Sequence, residues 1–395
     1  MKKRLTSLII LLLTILFCFS VFGCEKADNK FKGKVIKYEN LDSIDKKMFS
    51  QLNKILYNSK ETLWKDYNLK DKSFILIRKD EEDENGSKNR KNVSYYAINV
   101  NGMEDQDAKE VKMPKGFYFK SVYRFNKAPL KIENIRGNFS DTGSDLTIGN
   151  SKNIFCFKYN TDNFRKAVDP AYAFSPFFTH EAFHHYMQND WKLEGAPSSV
   201  ALTKKEISCI GLKYKVLDKM RTENEKDKIS KKKLNKLISE YISIEEKRKE
   251  INERYLNEEH SKETAEGTAC YVGLKAARLT NTRYGVLAFT NNKEKVTFSD
   301  VLDAMSKDKY PTTFIGDWEL YNTGMELCIT LDNLGIKNWQ KKLNSQTPDK
   351  PINLYDILKK YYKQNKLEEI SIEKIEDKYN YKEILKKSEK IQRLL

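Results

Sequence analysis

Three of the four histidines in this 395-residue chain lie within six residues of one another, at positions 180, 184 and 185. Two of them belong to the run His180-Glu181-Ala182-Phe183-His184, an HExxH arrangement. Residues four apart on a helix share one face, so His180 and His184 can both direct a neutral imidazole nitrogen at one zinc ion. Glu181 lies about 100° further round the helix and can take a proton from a water molecule that the zinc activates. The spacing therefore predicts a zinc-dependent hydrolytic site.

Such a site needs a helix to carry it, and the sequence predicts one over residues 175–191. Ser175 suits the N-cap position and Pro176 suits the first helical position. His185 follows Glu181 by four residues, so we expect it beside the site or in the cleft and not among the metal ligands.

A catalytic zinc site has three protein ligands and one open position, so a third ligand must come from elsewhere in the chain. Downstream, residues 263–273 read ETAEGTACYVG. An HExxH run followed by a helix with Glu-Gly-x-Ala-x-Tyr resembles the gluzincin group of zinc metallopeptidases. The resemblance implies that Glu266 is the third ligand. Glu263, one turn earlier, and His260 stay open as alternatives.

The match departs from the best-known gluzincins in two respects. Glu266 follows His184 by 82 positions, a longer gap than those members have. The helical segments between about 200 and 257 would then be an insertion that covers one side of the cleft. Position 270 is a cysteine, where some members carry an aspartate that orients a ligand histidine. The resemblance therefore leaves the orienting residues unassigned.

Peptide hydrolysis also needs a group that stabilises the oxyanion of the transition state. The segment Trp318–Asp332 resembles a Tyr-x-x-Gly helix start found in related peptidase-like proteins. By that resemblance Tyr321 is the candidate, with His260 as the alternative.

The N-terminus has the pattern of an export signal. Lys2-Lys3-Arg4 precede an apolar run over residues 8–22, which is short for a membrane-spanning helix. The run Val21-Phe22-Gly23-Cys24 resembles a bacterial lipobox, with a larger residue than usual before the glycine. The resemblance implies that residues 1–23 are a signal peptide, that Cys24 is lipidated, and that the protein is extracytoplasmic and anchored to the cell membrane. Ordinary secretion and an uncleaved anchor are the alternatives.

Composition limits the remaining possibilities. Hydrophobic residues make up 39% of the chain and aromatic residues 12%, enough to build a core and to exclude wholesale disorder. The net charge of +16 can hold an exported protein near anionic lipid or wall polymer, but a well-solvated lysine-rich surface is the preferred interpretation. We expect no nucleic-acid partner, because the chain lacks an aromatic–basic RNA signature and finger spacing. Each of the four cysteines after residue 24 lies in an apolar stretch and is expected as a buried free thiol; they are Cys156, Cys209, Cys270 and Cys328.

The predicted fold class is α+β, with a small mixed or antiparallel sheet lobe followed by a mainly helical, zincin-like lobe and the active-site cleft between them. The expected divisions are the signal peptide 1–23, a tether 24–40, the first lobe 41–165 and the second lobe 166–395. Short aromatic and β-branched runs predict strands at 73–78, 93–100, 116–125, 130–135 and 153–159. Apolar periodicity predicts helices at 41–67, 175–191, 201–222, 229–257, 259–280, 299–307, 317–335, 353–364 and 380–394.

These observations favour an extracytoplasmic, membrane-anchored zinc metallopeptidase that acts on a peptide or protein substrate, with Zn²⁺ as its cofactor. Two alternatives stay open. One is a zinc-dependent hydrolase of a cell-wall amide, and the other is a non-catalytic lipoprotein that uses the fold for binding. The substrate, endo- or exopeptidase action and the oligomeric state do not follow from the sequence.

Overall fold

The computed structural model describes residues 35–58, 63–79, 94–103, 107–127, 130–133, 135, 137–140, 146–165, 169–192, 197, 202–288 and 295–395. Within these ranges the chain forms a six-stranded mixed sheet and eleven α-helices, so the α+β prediction is confirmed. The strands are β1 (Ile36–Lys37), β2 (Phe74–Arg78), β3 (Ser94–Ile98), β4 (Ala108–Lys112), β5 (Val122–Phe125) and β6 (Phe155–Tyr159). The helices are α1 (Ser43–Asn58), α2 (Leu130–Glu133), α3 (Phe174–Met187), α4 (Lys204–Asn224), α5 (Lys231–Thr280), α6 (Phe298–Ser306), α7 (Trp318–Leu334), α8 (Trp339–Asn344), α9 (Leu354–Gln364), α10 (Ile372–Lys378) and α11 (Tyr381–Gln392).

The strand order across the sheet is β1-β4-β5-β3-β2-β6. β2 pairs antiparallel with β3 and parallel with β6, which places Phe74 opposite both Ile98 and Phe155. Residues 74–77 of β2 are all buried, because both faces of this central strand are covered. Phe74 belongs to the large core on the helical side of the sheet, whereas Ile75 belongs to a smaller cluster on the opposite side.

A short segment, residues 138–140, runs along the outer edge of β6. Ser140 donates its backbone N–H to the Cys156 carbonyl at 3.0 Å, and Lys158 donates to the Asn138 carbonyl at 2.6 Å. Phe139 lies opposite Phe157 in this isolated antiparallel bridge. The segment therefore satisfies backbone groups that the edge strand would otherwise expose.

One apolar core joins the sheet to the helices on both sides of residue 165. The rings of Phe174 and Phe178 on α3 contact Phe157 of β6, with centroids 6.0 Å and 5.5 Å away. The buried inner face of the sheet thus supports the helix that carries the HExxH run.

Helix α5 is broken at Asn252, which has φ −156° and ψ 80°. The side-chain oxygen of Asn252 accepts the backbone N–H of Tyr255 at 3.1 Å and so caps the second part of the helix. The sequence predicted this break near residue 258. The second part ends at Thr280, followed by Asn281 in the left-handed region at φ 53°.

The second part of α5 packs against α7 with direct backbone contact. A Cβ atom added at Gly267 would lie 2.3 Å from the Cα of Gly324, and one at Gly324 would lie 2.1 Å from the Glu263 carbonyl oxygen. Neither position has space for a side chain. This glycine crossing fixes the separation of α5 and α7 beside Glu266.

A cluster of buried charges lies among α4 and the two parts of α5. Lys213 donates to Glu259 at 2.9 Å and to Glu263 at 2.8 Å, and Arg248 donates to Glu259 at 2.6 Å. We call this set the ion cluster; its members are all 3% exposed or less and are Lys213, Glu245, Arg248, Glu259, His260 and Glu263. Buried charges of this kind are strongly destabilising when one partner is removed, so the cluster fixes how the two parts of α5 pair with α4.

Several predicted elements differ from the structure. Residues 130–133 form the short helix α2 and not a strand. Only residues 122–125 of the predicted strand 116–125 are extended in the sheet. β1, β4, α8 and α10 were not predicted.

The four cysteines are free and buried in the structure, as predicted. In the described part of the chain, no helix combines the length and the apolar character that crossing a bilayer requires. The predicted signal peptide, Cys24 and residues 24–34 of the tether lie outside the described residues.

Candidate metal centre

Three predicted ligand atoms meet between α3 and the second part of α5. The Nε2 atoms of His180 and His184 are 3.0 Å apart. The Oε2 atom of Glu266 lies 3.3 Å from the His180 nitrogen and 3.2 Å from the His184 nitrogen. These three residues could hold one metal ion.

Helix α3 begins one residue earlier than predicted, and Ser175 is not its N-cap. Ala173, with φ −62° and ψ 143°, occupies the N-cap position without a side-chain hydrogen bond. The Ser175 hydroxyl instead lies 2.7 Å from the Thr280 hydroxyl and donates to that of Thr282 at 3.1 Å. Ser175 therefore ties the first turn of α3 to the C-terminal end of α5.

Both ligand imidazoles are oriented through their second nitrogen. His184 Nδ1 lies 2.5 Å from Gln188 Oε1, and the Gln188 amide donates to the Ala265 carbonyl at 2.9 Å. His180 Nδ1 lies 3.5 Å from the Cys270 sulfur. Such contacts fix which nitrogen faces a metal. These orienting residues were left unassigned in the sequence analysis, although Gln188 follows His184 by four residues and so shares its helix face.

Gln188→Ala is expected to raise the dissociation constant for zinc by about 10- to 100-fold, because the His184 ring loses the contact that orients it. The affinity would be measured by competition with a chromophoric chelator. Tyr186→Phe is the matched control on the same helix. It removes a hydrogen bond of 2.6 Å to the Ser73 carbonyl but touches no ligand. Equal affinity in Gln188→Ala and the control would show that Gln188 does not orient the ligand.

Glu181 lies beside the three ligand atoms without joining them. Its Oε1 is 4.0 Å from His180 Nε2, and it lines the cleft described below. Burial raises the pKa of Glu181, while His180 and His184 oppose that rise. For Glu266, burial also opposes ionisation, but His184 and His180 outweigh it and hold its pKa well below the ordinary value. The pKa of Glu181 is therefore raised and that of Glu266 lowered, as expected for a general base and for an ionised metal ligand.

The ligand atoms open into a cleft of about 740 Å³. Its walls come from α3, the second part of α5, the start of α7, the 3₁₀ turn Thr312–Gly316 and the loops around residues 138, 170 and 285. Aromatic side chains form much of the lining; they are Phe139, Tyr172, Phe177, Tyr284, Phe314, Trp318 and Tyr321. Among the described residues, none from 204–257 lines the cleft, so the expectation that this insertion covers one side is wrong. These residues include α4 and the first part of α5. They pack against the second part of α5, and the ion cluster lies at that contact.

Tyr321 lies at the predicted place, on the cleft wall next to His180. The two rings are parallel, with an interplanar angle of 5° and centroids 5.9 Å apart. Burial raises the pKa of Tyr321, and the neighbouring Glu266 carboxylate raises it further. The phenol therefore stays protonated and can donate a hydrogen bond.

Glu263 and His260, the alternatives for the third ligand, lie away from the three ligand atoms. Glu263 accepts from Lys213 at 2.8 Å and from the Thr323 hydroxyl at 2.5 Å, away from the ligand atoms. His260 Nε2 pairs with Glu245 at 2.8 Å inside the ion cluster. Neither residue lines the cleft.

His185 is not a ligand, as expected, but it does not reach the cleft either. Its ring packs 5.3 Å from that of Phe155 on the sheet side of α3 and is almost fully buried. That burial lowers its pKa to about 4, so the ring is neutral at pH 7. It acts as a core residue.

The arrangement thus places two imidazoles, one carboxylate ligand, one separate carboxyl group and one phenol on the walls of a single cleft. Comparisons with protein families, with curated proteins and with solved structures found no significant match to this chain. Its function is therefore argued from the site.

Proposed function

We propose that this protein is an extracytoplasmic, membrane-anchored zinc metallopeptidase of gluzincin type, with a zincin-like arrangement around its cleft. The observation that carries the proposal is the meeting of His180, His184 and Glu266 at 3.0–3.3 Å beside Glu181, in an aromatic cleft. Two histidines and one glutamate form a ligand set typical of catalytic zinc in peptidases.

The spacing of the ligand atoms supports zinc. Zinc bonds of about 2.0–2.2 Å in a tetrahedral arrangement place neighbouring ligand atoms about 3.3–3.6 Å apart, close to the separations in this site. The three observed separations are 3.0, 3.2 and 3.3 Å. Glu266 Oε2 is buried and accepts no hydrogen bond from the described residues, so it has lone pairs to offer a cation. The donor set therefore fits the ion.

Glu181, Tyr321 and the aromatic lining of the cleft each have a separate role in the proposed hydrolysis. A bound zinc ion would act as a Lewis acid and lower the pKa of a water molecule at the open position. Glu181 takes a proton from the attacking water and passes it to the amine nitrogen that leaves. Tyr321 donates its phenolic hydrogen to the oxyanion that forms on the substrate carbonyl. The aromatic lining excludes bulk water and strengthens these interactions.

The membrane anchor is proposed from the N-terminal sequence. A basic start, an apolar run and the lipobox-like Val21-Phe22-Gly23-Cys24 support export followed by lipidation of Cys24. A peptidase anchored in this way would meet peptides and proteins outside the cytoplasm.

Metal analysis of Glu266→Gln and Glu263→Gln tests the site. Each variant neutralises one glutamate in the second part of α5, and the two positions are one turn apart; Glu263 is buried and Glu266 is partly buried. We expect about one zinc per chain in the wild type and in Glu263→Gln, and loss of zinc in Glu266→Gln, by mass spectrometry of the chain from residue 25. Glu263→Gln is expected only to lower the free energy of unfolding, because Lys213 loses part of its charge compensation.

Two results would overturn the proposal. One is a wild-type chain that binds no zinc after reconstitution, and the other is a Glu266→Gln variant that retains it. Zinc binding without hydrolysis of diverse peptides, together with release of products from cell-wall material, would move the substrate from protein to a wall amide.

A further inference from the structure

An exposed pair of stacked tyrosines lies where the end of α1 meets the loop before β5. Tyr57 on α1 is 59% exposed and Tyr118 is 36% exposed. Their rings are 4.3 Å apart with an interplanar angle of 26°. The Lys70 ammonium lies 5.4 Å from the Tyr118 ring centroid. We call this surface the tyrosine–lysine patch; it consists of Tyr57, Tyr118, Lys70 and the exposed Lys115, which lies three residues before Tyr118 in the same loop.

The patch is held in place by the fold. Asn53, one turn before Tyr57, accepts the backbone N–H of Tyr118 at 2.8 Å and donates to the Gly116 carbonyl at 3.4 Å. Phe117 and Phe119 pack against the core, so Tyr118 between them points outward. The two stacked rings are therefore held at the surface by the fold, and they form the apolar centre of the patch.

The patch is close to the point where the proposed tether joins the fold. The ring of Tyr38 contacts that of Phe117, with centroids 5.3 Å apart. Tyr38 follows Cys24 by 14 positions, which can span at most about 50 Å. A lipid on Cys24 would therefore hold this side of the molecule within reach of the bilayer.

The chemistry of the patch matches that of a lipid headgroup region. Tyrosine places an apolar ring in the acyl boundary and its hydroxyl among the headgroups. Each lysine near an anionic leaflet adds electrostatic attraction to the lipid headgroups. The nearby Asp71 carboxylate is paired with Lys120 at 2.7 Å, so it does not cancel the charge of the patch lysines. Two of the other exposed large apolar side chains, Tyr172 and Trp318, belong to the cleft and are already accounted for.

We propose that the tyrosine–lysine patch rests on the anionic surface of a phospholipid bilayer and sets the orientation of the anchored protein. The proposal goes beyond the hydrolytic function, and it makes use of the proposed anchor only to bring the patch to the membrane. The contact itself requires neither zinc nor the lipid on Cys24.

Vesicle co-sedimentation tests the contact directly. The chain from residue 25 keeps every described residue and lacks the anchor. We expect it to bind vesicles that contain phosphatidylglycerol and to bind pure phosphatidylcholine weakly. Tyr57→Ser/Tyr118→Ser and, separately, Lys70→Glu/Lys115→Glu are expected to weaken binding to the anionic vesicles by at least about tenfold.

A matched control separates the patch from general attraction of a basic protein. Lys360→Glu/Lys363→Glu changes the net charge equally at two exposed positions on α9, and should leave vesicle binding within about twofold of wild type. Equal losses in the control and in the lysine variant would overturn the proposal, as would undiminished binding by the tyrosine variant or no binding by the wild type. Zinc content, measured on the same samples, should be unchanged in all variants, so failure here is distinguishable from failure of the metal site.

Discussion

Glu181→Gln is expected to lower kcat/KM for peptide hydrolysis by about 10²- to 10⁴-fold while zinc content stays at the wild-type value. Glutamine fills the same space as glutamate but cannot accept the proton of the attacking water. Because Glu181 Oε1 lies 4.0 Å from His180 Nε2 and outside the ligand set, its replacement should leave the three ligands in position. A wild-type chain screened on a quenched fluorescent peptide library would supply the substrate for the comparison.

Glu253→Gln is a suitable control for this experiment. It makes the same chemical change on α5 at a side chain that is 58% exposed and outside the cleft. Its kcat/KM should equal that of the wild type. Full activity of Glu181→Gln, with zinc bound, would exclude Glu181 as the general base.

The second large effect concerns the glycine crossing of α5 and α7. Gly267→Ala is expected to lower the free energy of unfolding by about 1–3 kcal/mol or more, because its Cβ would lie 2.3 Å from Gly324 Cα. The neighbouring atom is backbone, so it cannot move aside as a flexible side chain would. Since Glu266 directly precedes Gly267 and Tyr321 lies three residues before Gly324, separating the helices should also weaken zinc binding. Urea denaturation and zinc titration would measure the two effects.

Gly285→Ala provides the comparison for that substitution. A Cβ at Gly285 meets nothing within 4 Å, so the change in stability should stay within about 0.5 kcal/mol. If Gly267→Ala were as stable as Gly285→Ala, the two helices would not be in fixed contact at this point.

The spacing of His180, Glu181 and His184 was enough to place these residues together, because a helix brings positions four apart to one face regardless of the rest of the fold. Glu266 could be named only through resemblance, since it follows His184 by 82 positions and nothing local links the two. The contact of Cys270 with His180 depends on how α5 packs on α3. Only the resemblance drew attention to position 270, where some gluzincins carry an orienting aspartate; the cysteine itself has the pattern of an ordinary buried residue.

In the fold, too, elements with a local sequence pattern were predicted, and elements that depend on tertiary packing were not. Most long helices were predicted within a few residues, because apolar periodicity indicates a buried face. The prediction 41–67 was too long at its C-terminal end, since α1 ends at Asn58. Strand β4, Ala108–Lys112, was missed because four of its five side chains are at least partly exposed. Its extended form comes from pairing with β5 and β1, which only the assembled sheet provides. The ion cluster was not predicted either, because its glutamates lie in a Lys/Glu-rich helical sequence that is typical of a solvent-exposed face.

The two edges of the sheet offer little backbone for pairing with another molecule. At one border β1 has only two residues, and at the other the segment 138–140 already occupies β6 through the Ser140–Cys156 and Lys158–Asn138 hydrogen bonds. Exposed strand borders are the usual template for joining one molecule to the next in aggregates. Among the described strands, neither border offers a long unpaired row of N–H and C=O groups. If the proposed lipid anchor holds copies at high local concentration in the plane of a membrane, they would therefore have little opportunity to extend one another's sheets.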